Sequence, residues 1–295
     1  NANPNIVAIF TPVRHHRFFE AFHRQRHRWH GRQIDSRAVA GTNKDQLEAM
    51  VADWGEDSDY VRVRVRGLFP SAGDLQFISS ADVTAAITRE ETGPTDWSAP
   101  VVLGVDVARF GDDRTVIYPR IGRDARSFPP KIFAKLSTME TVHRVIEQVE
   151  LFRTLGRPVS STVVDGVGVG GGVVDRLREL GHAVHEVNGG GKPRDERSYA
   201  NKNAEMWAAM KAAIVDGGLR LPDLRDLSDD LTGREYGFTD RHQLRLEKKD
   251  DMKKRGLASP DLADALALTY AVPVGTIAAA NDLQRSPVAE HDPYA

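Results

Sequence analysis

The chain has 295 residues, enough for one complete α/β core and a second, smaller unit. Its 40 Lys and Arg against 42 Asp and Glu give a net charge of -2, so total charge announces no nucleic-acid partner and local charge must carry any such argument. Without cysteine there is no disulfide framework or thiolate metal site; no apolar run approaches the roughly 20 residues of a membrane span, and no G-x-x-x-x-G-K-[ST] phosphate loop occurs, so a soluble protein that is not a P-loop ATPase is expected.

The first residues lack the basic start and apolar stretch of a signal peptide, and Asn1-Ala2 reads as the scar of a cleaved expression tag. Ile6 to Phe10 is a candidate strand. Arg14 to Trp29 is a candidate helix, with Phe18, Phe22 and Trp29 roughly on one face. A second helix is predicted over Asp45 to Trp54. The following YVRVRVRG alternates with the period of two of a half-buried strand, and Phe69-Pro70-Ser71 stops it. Ser79 to Glu90 reads as a serine-capped helix, and Thr92 to Pro100 has linker composition.

From here the pattern becomes regular. Val101 to Val107 suits a buried central strand, with Arg114 to Arg120 and Lys131 to Leu136 completing a three-strand meander. Thr141 to Leu155 repeats Val142, Val145, Ile146, Val149 and Phe152 at helical spacing, ended by Gly156 and Pro158. Strand Val159 to Val164, helix Gly172 to Leu180 and strand Ala183 to Val187 follow. Gly189-Gly190-Gly191 opens a loop expected to be mobile. Asn201 to Val215 is a helix, Leu227 to Leu231 a short helix, and Gln243 to Glu247 a strand that leads into the charged EKKDDMKKR segment. Ser259-Pro260 starts the last helix, serine as its cap and proline in its first turn, and the tail beyond Pro273 turns polar.

Three aspartates stand at element ends in this layout. Asp106 lies near the end of the first strand and Asp165 ends the fourth; if the two strands run parallel side by side, both carboxylates emerge at one edge, where open α/β sheets build their sites. Asp261 and Asp264 are three apart on the last helix and share a face. Alone, each could be a turn former or a helix N-terminal charge. Gathered, they repel one another unless a cation joins them, and oxygen ligands select magnesium or manganese, as a pair roughly 4 Å apart that can cut a phosphodiester. Asp106 is expected to bridge the two ions, with Asp165 on one and Asp261 on the other. Asp264 is an outer or alternate ligand, and Asp113 and Lys249 are auxiliary candidates.

Other signals have competing readings. Gly166, Gly168 and Gly171 fit G-x-G-x-x-G, with Glu186 about 20 residues on, as a dinucleotide site wants; yet Asp165 would repel the pyrophosphate and a meander precedes the motif. An actin-like ATPase, using Asp106 to Thr115 around phosphates, needs a duplicated domain for which there is no room. Basic residues cluster at Arg14 to Arg37 and Arg241 to Arg255. Within the latter, Lys248, Lys249, Lys253, Lys254 and Arg255 are DNA-binding candidates, with Lys248 or Lys249 near the scissile phosphate, although Glu247, Asp250 and Asp251 partly cancel their charge. His23 and His27, among His15, His16 and His30, have a zinc-compatible spacing but no third ligand, so an ordinary surface helix is the better reading.

Over almost its whole length the chain resembles the C-terminal nuclease domain of the large subunit of tailed-phage DNA-packaging terminases. The resemblance rests on GVDVARFGDDRT, VVDGVGVGGGVVDRLRELG, VNGG followed by YANKNAEMWAAM, and LEKKDDMKKRGLASPDLADALALTYA. It implies an RNase H-like α/β fold, a mixed sheet of a three-strand meander plus parallel strands flanked by helices, preceded by a small α+β segment. The implied divisions are residues 1–92 as the end of the packaging ATPase with its linker, 93–275 as the nuclease, and 276–295 as a mobile tail. The family's acidic metal ligands fall on Asp106, Asp165 and Asp261. Two departures stand out: many relatives have two adjacent aspartates where this chain has Pro260-Asp261, leaving Asp264 as the nearest second carboxylate, and the middle acid is glutamate in some relatives. The implied function is magnesium- or manganese-dependent cutting of double-stranded DNA concatemers in viral genome packaging, with the small subunit and the procapsid portal as partners, in the bacterial host cytoplasm at the packaging motor. ATP hydrolysis is not expected from this chain alone, and the Gly189 to Arg197 loop is a candidate regulator of access. A junction resolvase or other RNase H-like nuclease is the alternative within the class, and a remnant that only docks DNA or the portal is the non-enzymatic one.

Overall fold

The computed structural model describes residues 26–28, 31–68, 76–90, 99–108 and 114–273. The chain divides into two compact units, 1–75 and 76–295. Among the described residues no helix is long and apolar enough to cross a membrane.

The described part of the first unit is helical. Arg26–Arg28 and Ser36–Ala38 are single 3-10 turns. Helix α1, Lys44–Trp54, starts where the Asn43 side chain accepts the Gln46 N–H, and it stops at Gly55, whose φ of 80° ends the helical path. Helix α2, Asp59–Arg64, replaces the strand expected from YVRVRVRG. Ser58 accepts the Val61 N–H at 3.3 Å and so opens a helix at the start of the run. Val61 and Val65 are four apart, so the same alternation also stacks them on one helical face, and both are fully buried. No strand lies beside the run among the unit's described residues, and without a partner a period-two pattern forms no ladder. The expected strand over Ile6 to Phe10, the helix from Arg14 apart from its 3-10 turn, and every histidine of that segment except His27 lie outside the described residues.

The second unit opens with α3, Ser80–Thr88, where Ser79 accepts the Asp82 N–H at 3.1 Å. Strands β1 (Val101–Asp106), β2 (Thr115–Ile121) and β3 (Lys131–Phe133) form the antiparallel meander. Helix α4, Thr138–Thr154, begins with a reciprocal Ser137–Glu140 capping box. It leads to β4 (Val159–Asp165), α5 (Gly170–Glu179) and β5 (Val184–Val187). The sheet order is β3-β2-β1-β4-β5, with β4 parallel to both β1 and β5.

Alternation along the strands fills both faces. Val105, Ile117 and Val164 pack against Val142 and Val145 of α4 and Val173, Val174 and Leu177 of α5. Val102, Val116, Tyr118 and Val163 face the opposite layer, built by α6 (Lys202–Val215), α7 (Arg225–Gly233) and the last helix, α9 (Asp261–Leu268). Between α7 and α9 stand a hairpin of β6 (Tyr236–Phe238) with β7 (Leu244–Leu246) and the helix α8 (Lys249–Lys254). Neither β6 nor α8 is among the elements expected from sequence: β6 is three residues long, and α8 is charged throughout except for its single buried residue, Met252. The loop opened by Gly189 is pinned, with Lys202 N–H donating to Gly191 C=O, Asn203 N–H to Gly189 C=O, and Glu205 accepting from Arg194 and Asp195 N–H.

Two contacts fix α9. A Cβ on Gly104 would stand 1.9 Å from the Ala265 carbonyl oxygen, so only glycine in mid-β1 lets the helix lie this close to the sheet. The amino end of α9 carries no cap from its own chain neighbours: Pro260 holds the cap position, and the expected serine cap is absent. Instead Asp230 of α7 accepts the Leu262 and Ala263 N–H groups at 2.9 and 3.4 Å, a carboxylate at the positive end of the helix.

Candidate metal centre

Val105 pairs with Val164 across the parallel β1–β4 ladder, so the next residues, Asp106 and Asp165, leave the sheet together at its carboxyl edge. The close approach of α9 at Gly104 brings Asp264 to the same place. These three carboxylates, with Lys248, Lys249 and Arg234, line a cleft of about 420 Å³. A Cβ on Gly170 would stand 1.7 Å from the Asp165 carbonyl oxygen, so the start of α5 folds directly against the end of β4.

Asp106 is 7% exposed. Burial, together with the neighbouring charges of Asp264, Asp261 and Asp165, pushes its carboxyl up to about 8 in spite of Lys249. Burial also raises Asp165, opposed by the Val167 N–H that its carboxylate accepts at 3.1 Å. For Asp264 burial acts upward too, but Lys249 and Arg234 hold the carboxyl below its ordinary value. Its Oδ1 accepts from Trp207 Nε1 at 2.8 Å and Arg234 Nη1 at 2.9 Å, and its Oδ2 meets Lys249 Nζ at 2.8 Å. The same Nζ lies 3.6 Å from Asp106 Oδ2. Burial would lower the Lys249 ammonium, but Asp264 and Asp106 raise it above the usual lysine range.

Asp261 does not line the cleft, although its charge acts on Asp106. It is buried, and its Oδ2 accepts the Arg114 N–H at 2.8 Å with Arg114 Nε 3.9 Å away, while Arg114 also pairs with Asp226 at 2.7 Å. Asp113 lies outside the described residues. Of the basic candidates, Lys248 and Lys249 line the cleft. Lys254 pairs with Asp251 at 2.7 Å, Arg255 pairs with Glu247 and Glu235, and Lys253 does not line the cleft.

Trp207, Arg234 and Asp230 escape the sequence reading. A buried arginine in TGREYGF or a tryptophan on an amphipathic helix signals core until its long-range partner is seen, and Asp230 caps a helix 32 positions away. Within G-x-G-x-x-G, Gly166 serves packing, since a Cβ there would stand 2.4 Å from Glu186, whose carboxylate pairs with Arg178 at 3.6 Å, and Gly168 serves the turn with a φ of 66°. The antiparallel β1–β2–β3 half also departs from a doubly wound dinucleotide-binding sheet.

No three acidic or histidine side chains among the described residues already converge as a cage for an ion. Lys249 holds the central position between Asp106 and Asp264. The donors nevertheless fit a hard divalent cation: the carboxylates lining the cleft offer oxygen only, and the ammonium between them marks where positive charge is demanded.

No family model matches the chain, and no curated protein matches it in sequence. Among solved structures it is similar to the nuclease domain of the large terminase subunit gp2 of bacterial virus Sf6, with a TM-score of 0.54 and 22% identity over 67% of this chain and 99% of that one. A mutant of that domain with manganese and beta-thujaplicinol gives a TM-score of 0.53 at 22% identity over 67% and 99%. A mutant with calcium gives 0.53 at 21% identity over 66% and 99%. With its meander, its parallel β4 and β5 and its flanking helices, the chain has the RNase H-like fold of large terminase nuclease domains.

Proposed function

We propose that this chain is a divalent-metal-dependent endonuclease that cuts double-stranded DNA during viral genome packaging, its centre held by Asp106, Asp165 and Asp264. The observation that carries the reading is the convergence of those three carboxylates, from β1, β4 and α9, on one cleft around the Lys249 ammonium. Asp261, bonded to the Arg114 backbone, supports the amino end of α9 from behind and adds to the negative potential that raises Asp106.

Magnesium or manganese bound there would supply the Lewis acidity for in-line displacement at phosphorus. Asp106, Asp165 and Asp264 would hold the cation, and Asp106, raised by burial, would have to give up any proton before it could do so. Lys248 and Lys249 meet the DNA backbone at the cleft, where their charge offsets that of the phosphates. Arg234, buried against Trp207, keeps a fixed positive charge behind Asp264. The motif resemblance extends the reading to concatemer cutting beside the terminase small subunit and the portal, with residues 93–275 as the nuclease.

Cleavage of supercoiled plasmid in manganese tests this. The native chain is expected to nick and linearise the DNA, and Asp106→Ala to lose at least about 100-fold in rate, as expected when a group acting in the transition state is removed. Equal cleavage by the two proteins would reject the assignment, and cutting confined to four-way junctions would replace packaging with junction resolution.

A further inference from the structure

We infer that Trp207 and Arg234 are positioning residues that leave Asp264 a single oxygen to offer a cation, and that this biases the centre toward magnesium and manganese over calcium. The inference rests on the metal-centre reading above.

Asp264 Oδ1 receives two donors, the Trp207 indole N–H at 2.8 Å and Arg234 Nη1 at 2.9 Å. Both donors are locked in the core. Trp207 is fully buried and Arg234 is 3% exposed. The guanidinium lies 4.7 Å from the indole ring centroid and donates through Nε and Nη2 to the Glu247 carbonyl at 3.2 Å each, so it cannot swing away without losing four contacts at once. The third donor, Lys249, acts on Oδ2, and its side chain is 38% exposed. Of the three, only the ammonium stands on a flexible, part-exposed stem and can yield its place to a cation that takes over its charge. A cation entering the cleft therefore meets Oδ2 alone.

A carboxylate with one oxygen blocked is a monodentate ligand. Small octahedral cations accept that geometry, whereas calcium reaches its six to eight oxygen ligands through carboxylates that often chelate with both oxygens. The pair behind Asp264 thus acts against the larger ion. Removing either donor loosens the hold on Oδ1, which costs the manganese site part of its fixed ligand orientation and makes the second oxygen more available to calcium.

Calorimetric titration of Mn2+ and of Ca2+ into the native chain, Trp207→Phe and Arg234→Lys tests this, with the melting temperature of each metal-free protein measured alongside. Trp207→Phe keeps an aromatic ring but removes the donor. It is expected to weaken Mn2+ binding about 10-fold, the usual effect of removing a partner that orients a ligand, and to leave or strengthen Ca2+ binding, with a melting temperature lowered by the cavity that the smaller ring leaves. Arg234→Lys is expected to shift the Mn2+ to Ca2+ preference in the same direction. A preference unchanged in folded variants overturns the inference, and so does failure of both variants to fold, which would make the two residues core supports. The parent reading fails separately: it falls if the native chain binds neither ion, or if Asp264→Ala binds both as the native chain does.

Discussion

Asp230 makes two backbone hydrogen bonds to the amino end of α9, and burial outweighs them, pushing its carboxyl up to about 7. A carboxyl whose folded value lies above its unfolded value of 3.8 holds its proton more tightly in the native state. Its contribution to stability is complete below pH 3.8 and is lost as pH rises through about 7, and Asp106 adds a loss of the same sign that runs on to about 8. The melting temperature of the metal-free protein is therefore expected to fall from pH 4 to pH 8. In Asp230→Asn, which keeps an uncharged oxygen for the same N–H groups, the fall between pH 4 and 7 should be shallower. Parallel native and variant curves would show that Asp230 is not the group that titrates. Asp106 and Asp165 are readable from sequence because each ends an apolar run suited to a buried strand. The choice between Asp261 and Asp264 is not, because it depends on how the amino end of α9 is turned, and Asp230 and Gly104 set that from elsewhere in the chain.

At the level of elements, the site depends on the contact between α9 and β1. Gly104→Ala would drive a methyl group into the Ala265 carbonyl, and backbone cannot yield as a side-chain tip can. Overpacking of this kind costs about 3 kcal/mol, and the displaced helix would carry Asp264 away from Asp106. Denaturant unfolding is expected to show that loss together with weakened cleavage; a variant with native stability would show that the helix can back away freely. The strand–helix succession from β1 to β5 is legible because β1, β2, β4 and the two helices bury apolar faces, whereas β3 and β5 are three and four residues long and largely exposed. Helix α8 is hidden because six charged-rich residues with one buried methionine have no periodicity to read. Helix α2 is misread because valines two apart satisfy a strand face and, at every second valine, a helix turn as well; the Ser58 cap was the available signal for the helix.

For the whole molecule the central fact is electrostatic. A five-stranded sheet carries Asp106 and Asp165 to one edge, a helix from the far end of the sequence adds Asp264, and Lys249 and Arg234 supply the positive charge that lets them coexist. The net charge of -2 conceals this arrangement, because the balance is struck locally, inside one cleft. That the cleft belongs to a cation can be checked without any assay of activity. Crystals soaked in Mn2+ and measured for anomalous scattering are expected to show density among the Asp106, Asp165 and Asp264 carboxylates, with the Lys249 ammonium displaced from between them. A cleft with Lys249 still bridging Asp106 and Asp264 and no anomalous peak at saturating manganese would contradict the account.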